Sequence, residues 1–236
     1  MHGGDIYSNE VEYDFSVSVN PLGMPKGSIE AAQEAVLRCR CYPDCTGEAL
    51  RRAIAEREGC GREDIVLGNG AAELIYALCY AIRPKLGFTL SPAFSEYEAA
   101  VAASGGACEF LNLREEDGFA LDRRILSRIK RETDLLFLCN PNNPTGSLIS
   151  KELLTAIAAK CEDTETYLCL DECFLPFLEN EKDCTMKYEI QCFPHLIVLR
   201  AFTKVFGMPG LRLGYLLTAN RRLTDRIRLC MQPWSV

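Results

Sequence analysis

The chain has 236 residues, of which 48% are hydrophobic and 25% charged, and its formal net charge is −7. This length and composition suffice for one substantial buried core, and no apolar run approaches the length of a membrane-spanning helix. The acidic balance argues against nucleic acid as a partner, because the average surface would repel phosphates. Residues 1–5 lack a basic and then apolar signal segment, so we expect a cytoplasmic protein.

Two hydrophobic periodicities alternate along the chain. Apolar residues three or four positions apart predict helices over residues 29–38, 46–58, 71–82, 94–103, 122–131, 150–161 and 223–231. Short apolar or β-branched runs predict strands at residues 65–67, 86–90, 108–111, 135–139, 167–170, 196–199 and 213–217. This alternation predicts an α/β fold of three layers, α/β/α, with helices on both faces of a mostly parallel seven-stranded sheet.

The thirteen cysteines are scattered, odd in number and mostly set in apolar runs, as Cys79 and Cys139 are. This pattern predicts reduced thiols in the core and not a disulfide framework. The densest group, Cys39, Cys41 and Cys45, contains no pair spaced as C-x-x-C, and the chain has two histidines. We therefore predict no metal site.

A glycine turn joins the first predicted strand to a helix. It reads Gly68-Asn69-Gly70 and is followed by Ala71 and Ala72. Free backbone N–H groups at the start of a helix form a cup for phosphate, so this segment predicts a phosphate site. A plain turn is the alternative.

Two further polar segments follow apolar strands. Asn143 lies in the loop 140–146, where a proline on either side rigidifies the backbone and presents the amide side chain inward. Asp171 follows the predicted strand 167–170, and a carboxylate in that place faces the crevice where open α/β sheets bind ligands. It could keep a pyridinium nitrogen protonated and so make the ring an electron sink. Turn formation by Asn143 and helix capping by Asp171 are the alternatives.

Lys204 lies on a tight turn after the apolar run 196–199, and Arg212 follows eight residues later. A lysine can form an imine with an aldehyde, and an arginine can hold a phosphate. An aldehyde together with a phosphate describes pyridoxal phosphate. Most Lys/Arg pairs are solvated surface charges, so this pair alone is weak evidence for a pyridoxal phosphate site. The three segments above strengthen it.

In their order along the chain, these four segments resemble the fold type I pyridoxal phosphate enzymes, specifically the class I and II aminotransferase family. The resemblance covers nearly the whole chain and implies pyridoxal 5'-phosphate as the cofactor. It implies that Lys204 and Asp171 are the catalytic residues: Lys204 binds the aldehyde and later moves protons, and Asp171 pairs with the ring nitrogen. Asn143 would donate a hydrogen bond to the ring O3' oxygen.

The resemblance also implies the remaining cofactor contacts. The phosphate would be held by the backbone amides of Gly70, Ala71 and Ala72, the Thr203 hydroxyl and the Arg212 guanidinium. Phe94 stands where relatives stack an aromatic ring on the cofactor, and a packed core aromatic is the alternative for this residue.

Two N-terminal features bear on partner and substrate. Tyr42 matches a tyrosine that in this family crosses to the neighbouring subunit's phosphate, which implies a homodimer with shared sites. The loop Asn20-Pro21-Leu22-Gly23 resembles the family's substrate loop, so Asn20, Leu22 and Gly23 would approach a small amino-acid substrate together with Asn143. Gly23 would permit close approach of the backbone. A plain Asn-Pro turn is the alternative.

Two residues depart from the family pattern. Ala201 stands where members usually carry Ser or Thr three residues before the lysine, which removes a phosphate contact worth about 1–2 kcal/mol. Phe174 stands where many relatives carry a tyrosine that bonds O3', so Asn143 would hold O3' alone or with water.

Within the family, the segment from Asp171 to Phe174 resembles the branch that contains the threonine-phosphate decarboxylases of cobalamin biosynthesis. The opening His2-Gly3-Gly4-Asp5 and the stretches 14–23, 94–97 and 232–236 resemble it too. Histidinol-phosphate aminotransferases share the core motifs and are the alternative. The decarboxylase would act on a small phosphorylated amino acid.

The resemblance divides the chain in two. Residues 1–40 would form an N-terminal segment that belongs with the small domain and the substrate loop, and residues 41–236 the large domain that binds pyridoxal phosphate. Relatives continue past the position of Val236 into a smaller domain, so we expect that domain to be missing and the apolar face of residues 1–40 to be either exposed or reorganised. A hypothesis of another class is a non-catalytic cofactor-binding fragment or partner subunit.

Overall fold

The computed structural model describes residues 3–236, so that His2 of the opening motif lies outside the described residues. The helices are α1 (Lys26–Val36), α2 (Glu48–Glu58), α3 (Gly70–Ile82), α4 (Glu96–Ala103), α5 (Lys151–Thr164), α6 (Glu181–Cys184) and α7 (Arg221–Leu229). The strands are β1 (Ile65–Gly68), β2 (Leu86–Ser91), β3 (Ala107–Asn112), β4 (Leu135–Cys139), β5 (Tyr167–Asp171), β6 (Leu196–Ala201) and β7 (Gly214–Leu217). All seven predicted strands are present.

The seven strands form one sheet in the order β1-β7-β6-β5-β4-β2-β3. Strands β2 to β6 run parallel, and β7 runs antiparallel to both of its neighbours, β1 and β6. The register pairs Asp171 of β5 with Leu199 of β6, and Ala201 of β6 with Gly214 of β7. The predicted mostly parallel seven-stranded sheet is confirmed.

Side chains alternate along each strand and feed two hydrophobic cores, one on each face of the sheet. On one face, Leu136 and Leu168 pack with α5 residues such as Leu154. On the other, Phe137 and Ile197 pack with residues of α3, α4 and α7. The central strands are buried on both faces, which makes the molecule a three-layer α/β/α structure.

One predicted helix is wrong. Residues 122–131 form only a short 3₁₀ helix, Arg123–Ser127, which the Asp122 side chain caps by accepting a hydrogen bond from the Arg124 amide. The spacing that suggested a helix comes from Ile125 and Ile129, which are both buried. The 3₁₀ helix contains Ile125, Ile129 follows it in non-helical backbone, and both isoleucines pack into the same core as α5 before β4 begins.

The N-terminal segment up to Tyr42 packs loosely against this body. Helix α1 contains no buried residue, and large apolar side chains of the segment, among them Tyr7, Phe15 and Leu37, are exposed. An exposed apolar face was predicted for this segment. None of the helices within residues 3–236 combines the length and the apolarity needed to span a bilayer.

Candidate cofactor site

One edge of the sheet collects most of the predicted site residues. The carboxyl ends of β1, β2, β4, β5 and β6 lie at this edge, and β7, which runs the other way, begins there. The chain leaving or entering these strands carries Gly70, Phe94, Asn143, Asp171, Lys204 and Arg212. The topology therefore brings together residues that are more than 130 positions apart in the sequence.

Asp171 is the last residue of β5 and its carboxylate is buried. Oδ1 accepts a hydrogen bond from the Cys173 amide at 2.9 Å, and Oδ2 accepts one from the Tyr97 hydroxyl at 2.8 Å. Burial raises the pKa of Asp171, whereas the hydrogen bonds from Cys173 and Tyr97 and the positive charge of Lys204 oppose the rise. A cationic ring N–H beside this carboxylate would stabilise its ionised form.

Tyr97 was not among the predicted site residues. It lies on α4 with 0% exposure, and its ring stacks on Phe137 with centroids 4.9 Å apart. Burial, and then the negative charge of Asp171, raise the pKa of Tyr97 well above that of a free phenol, so the hydroxyl stays a hydrogen-bond donor. The helical spacing of Tyr97 and Val101, both buried, was the sequence signal for an inward-facing residue.

Lys204 lies on the turn that follows β6. Its Nζ is 5.4 Å from the centroid of the Phe174 ring, and its positive charge lowers the pKa of Asp171 and of the Cys139 thiol, although burial raises both overall. The lysine and the carboxylate are thus close enough to act on each other electrostatically. Among residues 3–236, no carboxylate forms a salt bridge with Lys204 within 4 Å.

The predicted substrate loop is hydrogen-bonded to the lysine turn. The Asn20 amide donates to the Lys204 carbonyl at 3.1 Å, and Asn20 Nδ2 donates to the Val205 carbonyl at 2.8 Å. Gly23 lies directly against Gly207, where an added Cβ would approach the Gly23 carbonyl group to 2.6 Å. Leu22, by contrast, is 91% exposed.

A cavity of about 350 Å³ opens beside Lys204, and this is a volume typical of small-molecule sites. Its wall contains Lys204, Asn143, Phe94 and Phe174. The remaining lining residues are Gly3, Ser16, Val17, Ser18, Ala93, Ser95 and Pro144. The contribution of Gly3 and residues 16–18 was not predicted, because the sequence placed only the loop 20–23 of the N-terminal segment at the substrate and nothing in the composition of the preceding residues marks them as part of the wall.

Phe94 fits both of the alternatives that the sequence left open. It packs edge-on against Tyr97, with centroids 5.6 Å apart, and it also lines the cavity. Asn143, which also lines the cavity, lies in a loop that hydrogen bonds of the Asn142 side chain stabilise. Asn142 Nδ2 donates to the Pro92 carbonyl at 3.2 Å and to Thr145 Oγ1 at 2.9 Å.

The start of α3 faces an arginine. Gly70 has φ = 76°, and an added Cβ there would lie 2.6 Å from Nη2 of Arg212. At Gly214 an added Cβ would meet the Ala71 amide at 2.9 Å, so the start of β7 lies against this first turn. Helix N-termini and guanidinium groups both carry positive charge, and their close approach favours an anion between them.

The structure does not bring every predicted residue into one cavity. Arg212 lines a second cavity of about 430 Å³ together with Asn69, while Thr203 is buried and Ala72 is half-buried. Tyr42 is 81% exposed, its ring lies against Trp234 with centroids 4.8 Å apart, and it does not line the cavity beside Lys204.

The residues present fit pyridoxal phosphate. A Cβ added at Gly70 would displace the Arg212 guanidinium from the start of α3, as expected where backbone amides and a guanidinium together form an anion cradle. Among residues 3–236, no carboxylate pairs with Arg212 within 4 Å, so its charge is available to a ligand. A lysine amine, a buried carboxylate and an amide side chain complete the donor set.

Comparisons with known proteins agree with this reading. The family profile described as aminotransferase class I and II matches residues 12–236. The threonine-phosphate decarboxylase of Salmonella typhimurium is 38% identical over 100% of this chain and 66% of its own length. Histidinol-phosphate aminotransferase 1 of Cupriavidus pinatubonensis is 32% identical over 92% of this chain and 57% of its own length.

Among solved structures, the histidinol-phosphate aminotransferase of Clostridium acetobutylicum superposes with a TM-score of 0.84 at 31% identity. The match covers 94% of this chain and 65% of that one. The chain thus spans between 57% and 66% of the length of these curated relatives and 65% of the solved structure. Because the profile covers almost the entire sequence, the chain belongs to the class I and II aminotransferase family.

Proposed function

We propose that this protein is a pyridoxal-phosphate-dependent enzyme that acts on a small phosphorylated amino acid, as a threonine-phosphate decarboxylase does. The observation that carries the proposal is the placement of Lys204 and Asp171 at one sheet edge, close enough for the lysine charge to act on the buried carboxylate. Bound there, pyridoxal phosphate would supply an electron sink for charge that develops at the substrate α carbon.

Each residue has a distinct task in this proposal. Lys204 would bind the cofactor's aldehyde carbon and, once substrate displaces it, carry a proton to or from the substrate α carbon. Asp171 would hold the proton on the ring nitrogen, with Tyr97 and the Cys173 amide fixing its orientation. Asn143 would donate to O3' from the cavity wall.

The phosphate would be bound by the start of α3 and by Arg212. Backbone amides of Gly70, Ala71 and Ala72 and the Thr203 hydroxyl would donate to it, and the Arg212 guanidinium would neutralise its charge. Phe94 would cover the ring. Asn20, Leu22 and Gly23 would approach the substrate from the loop that is bonded to the Lys204 turn.

Two activities compete within this family, and they differ in which bond at the α carbon breaks. The decarboxylase is favoured because a named threonine-phosphate decarboxylase is 38% identical over the whole chain, whereas a named histidinol-phosphate aminotransferase is 32% identical over 92% of it. Phe174, which lines the cavity, also belongs to the motif that resembles the decarboxylase branch.

The test measures two reactions on the purified protein with pyridoxal phosphate added. We expect release of carbon dioxide from threonine phosphate, independent of any oxo acid. Amino exchange between histidinol phosphate and 2-oxoglutarate would establish the aminotransferase instead. Cofactor binding without either turnover would support the third hypothesis, a non-catalytic cofactor-binding chain or partner subunit.

We further propose a homodimer in which Tyr42 reaches the partner's phosphate site. Its support is the exposure of Tyr42, which leaves the side chain accessible to a second subunit. A mixture of two inactive variants, Tyr42→Ala and Lys204→Ala, should regain part of the activity, because one hybrid site would hold both native residues. No recovery in a mixture shown to exchange subunits would contradict this arrangement.

A further inference from the structure

A buried charged network lies on the face of the sheet opposite Asp171. Glu172 follows Asp171 directly, and Arg200 lies on β6, four residues before Lys204. Glu172 is 0% exposed and Arg200 is 3% exposed. Charged side chains are almost never this deeply buried unless they are paired, so the pair calls for a physical explanation.

Arg200 is surrounded by acceptors. Its Nη2 donates to Glu172 Oε2 at 2.5 Å and to the Thr185 hydroxyl at 2.9 Å, and its Nη1 donates to Glu181 Oε1 at 2.5 Å. Burial acts to lower the pKa of Arg200, but the negative charge of Glu172, the hydrogen bond to Glu181 and the negative charge of Glu58 raise it overall. The guanidinium therefore remains charged inside the protein.

Glu172 is held at both of its oxygens. Oε1 accepts from the Met186 amide at 2.8 Å, and Oε2 accepts from Thr185 as well as from Arg200. The carboxylate of Glu172 thereby ties the chain just after Asp171 to β6 and to the segment that follows α6. The chain around Asp171 is fixed from the side on which no cofactor would lie.

A second arm of the network reaches the lysine turn. Glu58, the last residue of α2, lies 3.8 Å from Arg200 Nη1, and its Oε1 accepts from the Tyr215 hydroxyl at 2.8 Å. The Tyr215 ring contacts Phe202 with centroids 5.5 Å apart, and Phe202 contacts Phe206 at 5.4 Å. These two phenylalanines bracket Lys204 in the sequence, so the turn that carries Lys204 rests on Tyr215.

Stability alone does not account for this network. A buried ion pair costs desolvation energy that well-packed apolar side chains would not, so its net contribution to stability is small or negative. Its two arms end beside the two residues that the proposed chemistry uses. Geometric precision between a lysine and a carboxylate is worth far more to catalysis than to folding.

We propose that Glu58, Arg200 and Glu172, with Tyr215, form a positioning network that sets the place of the Lys204 turn relative to Asp171. The inference rests on the proposed function and deepens it by naming the residues that hold the Lys204 turn in place relative to Asp171. These are positioning residues, because they act on Lys204 and Asp171 from the opposite face of the sheet.

Two variants test the network, and a third is the matched control. Tyr215→Phe removes only the hydrogen bond from the Tyr215 hydroxyl to Glu58 and keeps the ring against Phe202, so it is the variant that disturbs folding least. Glu172→Gln keeps the side-chain shape and breaks the ion pair with Arg200. Glu162→Gln is the control, because Glu162 anchors the other end of β6 through the amide and the ring of His195, both at 2.6 Å.

The first readout is amide hydrogen exchange of residues 202–207 in the cofactor-free protein. The second is the dissociation constant for pyridoxal phosphate. We expect Tyr215→Phe and Glu172→Gln to speed exchange in 202–207 at least tenfold and to weaken cofactor binding at least threefold. Glu162→Gln should leave the exchange rate of residues 202–207 and the dissociation constant for pyridoxal phosphate within twofold of wild type. It should do so even if it lowers the melting temperature as much as the network variants do, or more.

Each outcome decides the matter. If the control changes exchange and binding as much as the network variants do, or if folded network variants change neither, the network is merely structural and the inference is overturned. If Glu172→Gln does not fold, Tyr215→Phe alone decides. Because exchange is measured without cofactor, a protein that binds no pyridoxal phosphate would defeat the proposed function and still leave this inference decidable.

Discussion

At the scale of single residues, folding and the proposed chemistry favour different protonation states of Asp171. The protein buries its carboxylate at the end of a strand, which raises its pKa in the folded state. A group of this kind stabilises the fold when protonated and destabilises it when ionised. The proposed chemistry needs the ionised form, so the cofactor-free protein should be less stable at neutral pH because of Asp171.

Replacing Asp171 with Asn removes that conflict. The pKa of Asp171 in the folded protein lies above the ordinary value of 3.8. The stability that the protonated carboxyl gives the folded state is therefore fully present below pH 3.8, and it is lost as pH rises through the raised pKa. The difference in unfolding free energy, Asp171→Asn minus wild type, should therefore increase between pH 4 and pH 7 in the cofactor-free protein. Denaturant unfolding at several pH values measures it.

Asp122→Asn is the control with the opposite sign. Hydrogen bonds from the Arg124 side chain and backbone lower the pKa of Asp122, so its contribution to stability is present above the ordinary value of 3.8 and is lost as pH falls through the lowered pKa. The Asp122→Asn difference should therefore fall as pH rises toward that value, and it should stay level at higher pH. If the Asp171→Asn difference fell with rising pH, as the control's should, the raised pKa of Asp171 would be wrong.

Tyr97 provides the second prediction at this scale. Tyr97→Phe removes the hydroxyl donor to a buried carboxylate and should cost about 1–3 kcal/mol of unfolding free energy at pH 7, because Asp171 loses a hydrogen bond that it cannot replace. Tyr76→Phe is the matched control, since Tyr76 donates to Glu96 at 2.9 Å from a half-buried position. Its cost should stay within about 0.5 kcal/mol. Equal costs for the two variants would show that the Tyr97 bond has no special role.

Lys204, Asp171, Asn143 and Arg212 could be predicted as site residues from the sequence, because each lies next to an apolar strand. The carboxyl ends of parallel strands meet at one edge of a sheet, so residues in these positions come together. Tyr97 was missed, since a tyrosine on the buried face of a helix looks like any core aromatic until its partner across the fold is known. Glu172 and Arg200 escaped notice for a similar reason. Nothing local distinguishes a charged residue buried in a network from one at an exposed strand end.

At the scale of elements, the site depends on three turns, each of which is held by contacts with a neighbouring part of the chain. The Lys204 turn accepts the Asn20 loop, β7 begins against the first turn of α3, and the Asn143 loop is braced by Asn142. Glycines stand at two of these contacts because a Cβ would collide with the neighbouring chain. Substitutions at these glycines therefore test the arrangement directly.

Gly207→Ala should displace the substrate loop. Gly207 has φ = 59°, which costs an alanine about 1–2 kcal/mol, and the new Cβ would meet the Gly23 carbonyl group. Limited proteolysis should then cut more readily among residues 3–24. The control is Gly118→Ala, with φ = 63° and open space around the Cβ, which carries the same backbone strain without the collision. Equal proteolysis of the two variants would contradict the contact.

Gly70→Ala should weaken phosphate binding. The new Cβ would push the Arg212 guanidinium away from the start of α3, and loss of one charge-assisted hydrogen bond corresponds to roughly tenfold in affinity. The measurement is the ratio of dissociation constants for pyridoxal and pyridoxal phosphate, which isolates the phosphate. Gly105→Ala, with φ = 91° and no atom near its Cβ, should leave this ratio unchanged. An unaltered ratio in Gly70→Ala would mean that Arg212 does not serve the phosphate.

The strands were predictable because period-two and continuous apolar runs are strong signals when a sheet is buried on both faces. The one wrong helix, over residues 122–131, shows the limit of that reasoning. Ile125 and Ile129 have helical spacing and are both buried, yet only Ile125 lies in a 3₁₀ helix and Ile129 follows it in non-helical backbone. Spacing reports which residues are buried, and the geometry that buries them depends on where the next strand must begin.

At the scale of the whole molecule, the sheet edge with its site belongs to a compact body, whereas the N-terminal segment lies on that body with many apolar side chains exposed. We propose that residues 1–40 belong with a smaller domain and the substrate loop, and residues 41–236 with the cofactor domain. The loop contacts of Asn20 and the cavity contacts of Gly3 and Ser16 support a role for this segment at the site.

The central claim is that the amine of Lys204 is the group to which pyridoxal phosphate attaches. The most direct measurement is borohydride reduction of the protein mixed with pyridoxal phosphate, followed by digestion and mass spectrometry of the peptides. We predict one modified site, at Lys204, and its loss in Lys204→Ala while binding of free phosphate persists. Modification spread over surface lysines with Lys204 untouched would contradict the account.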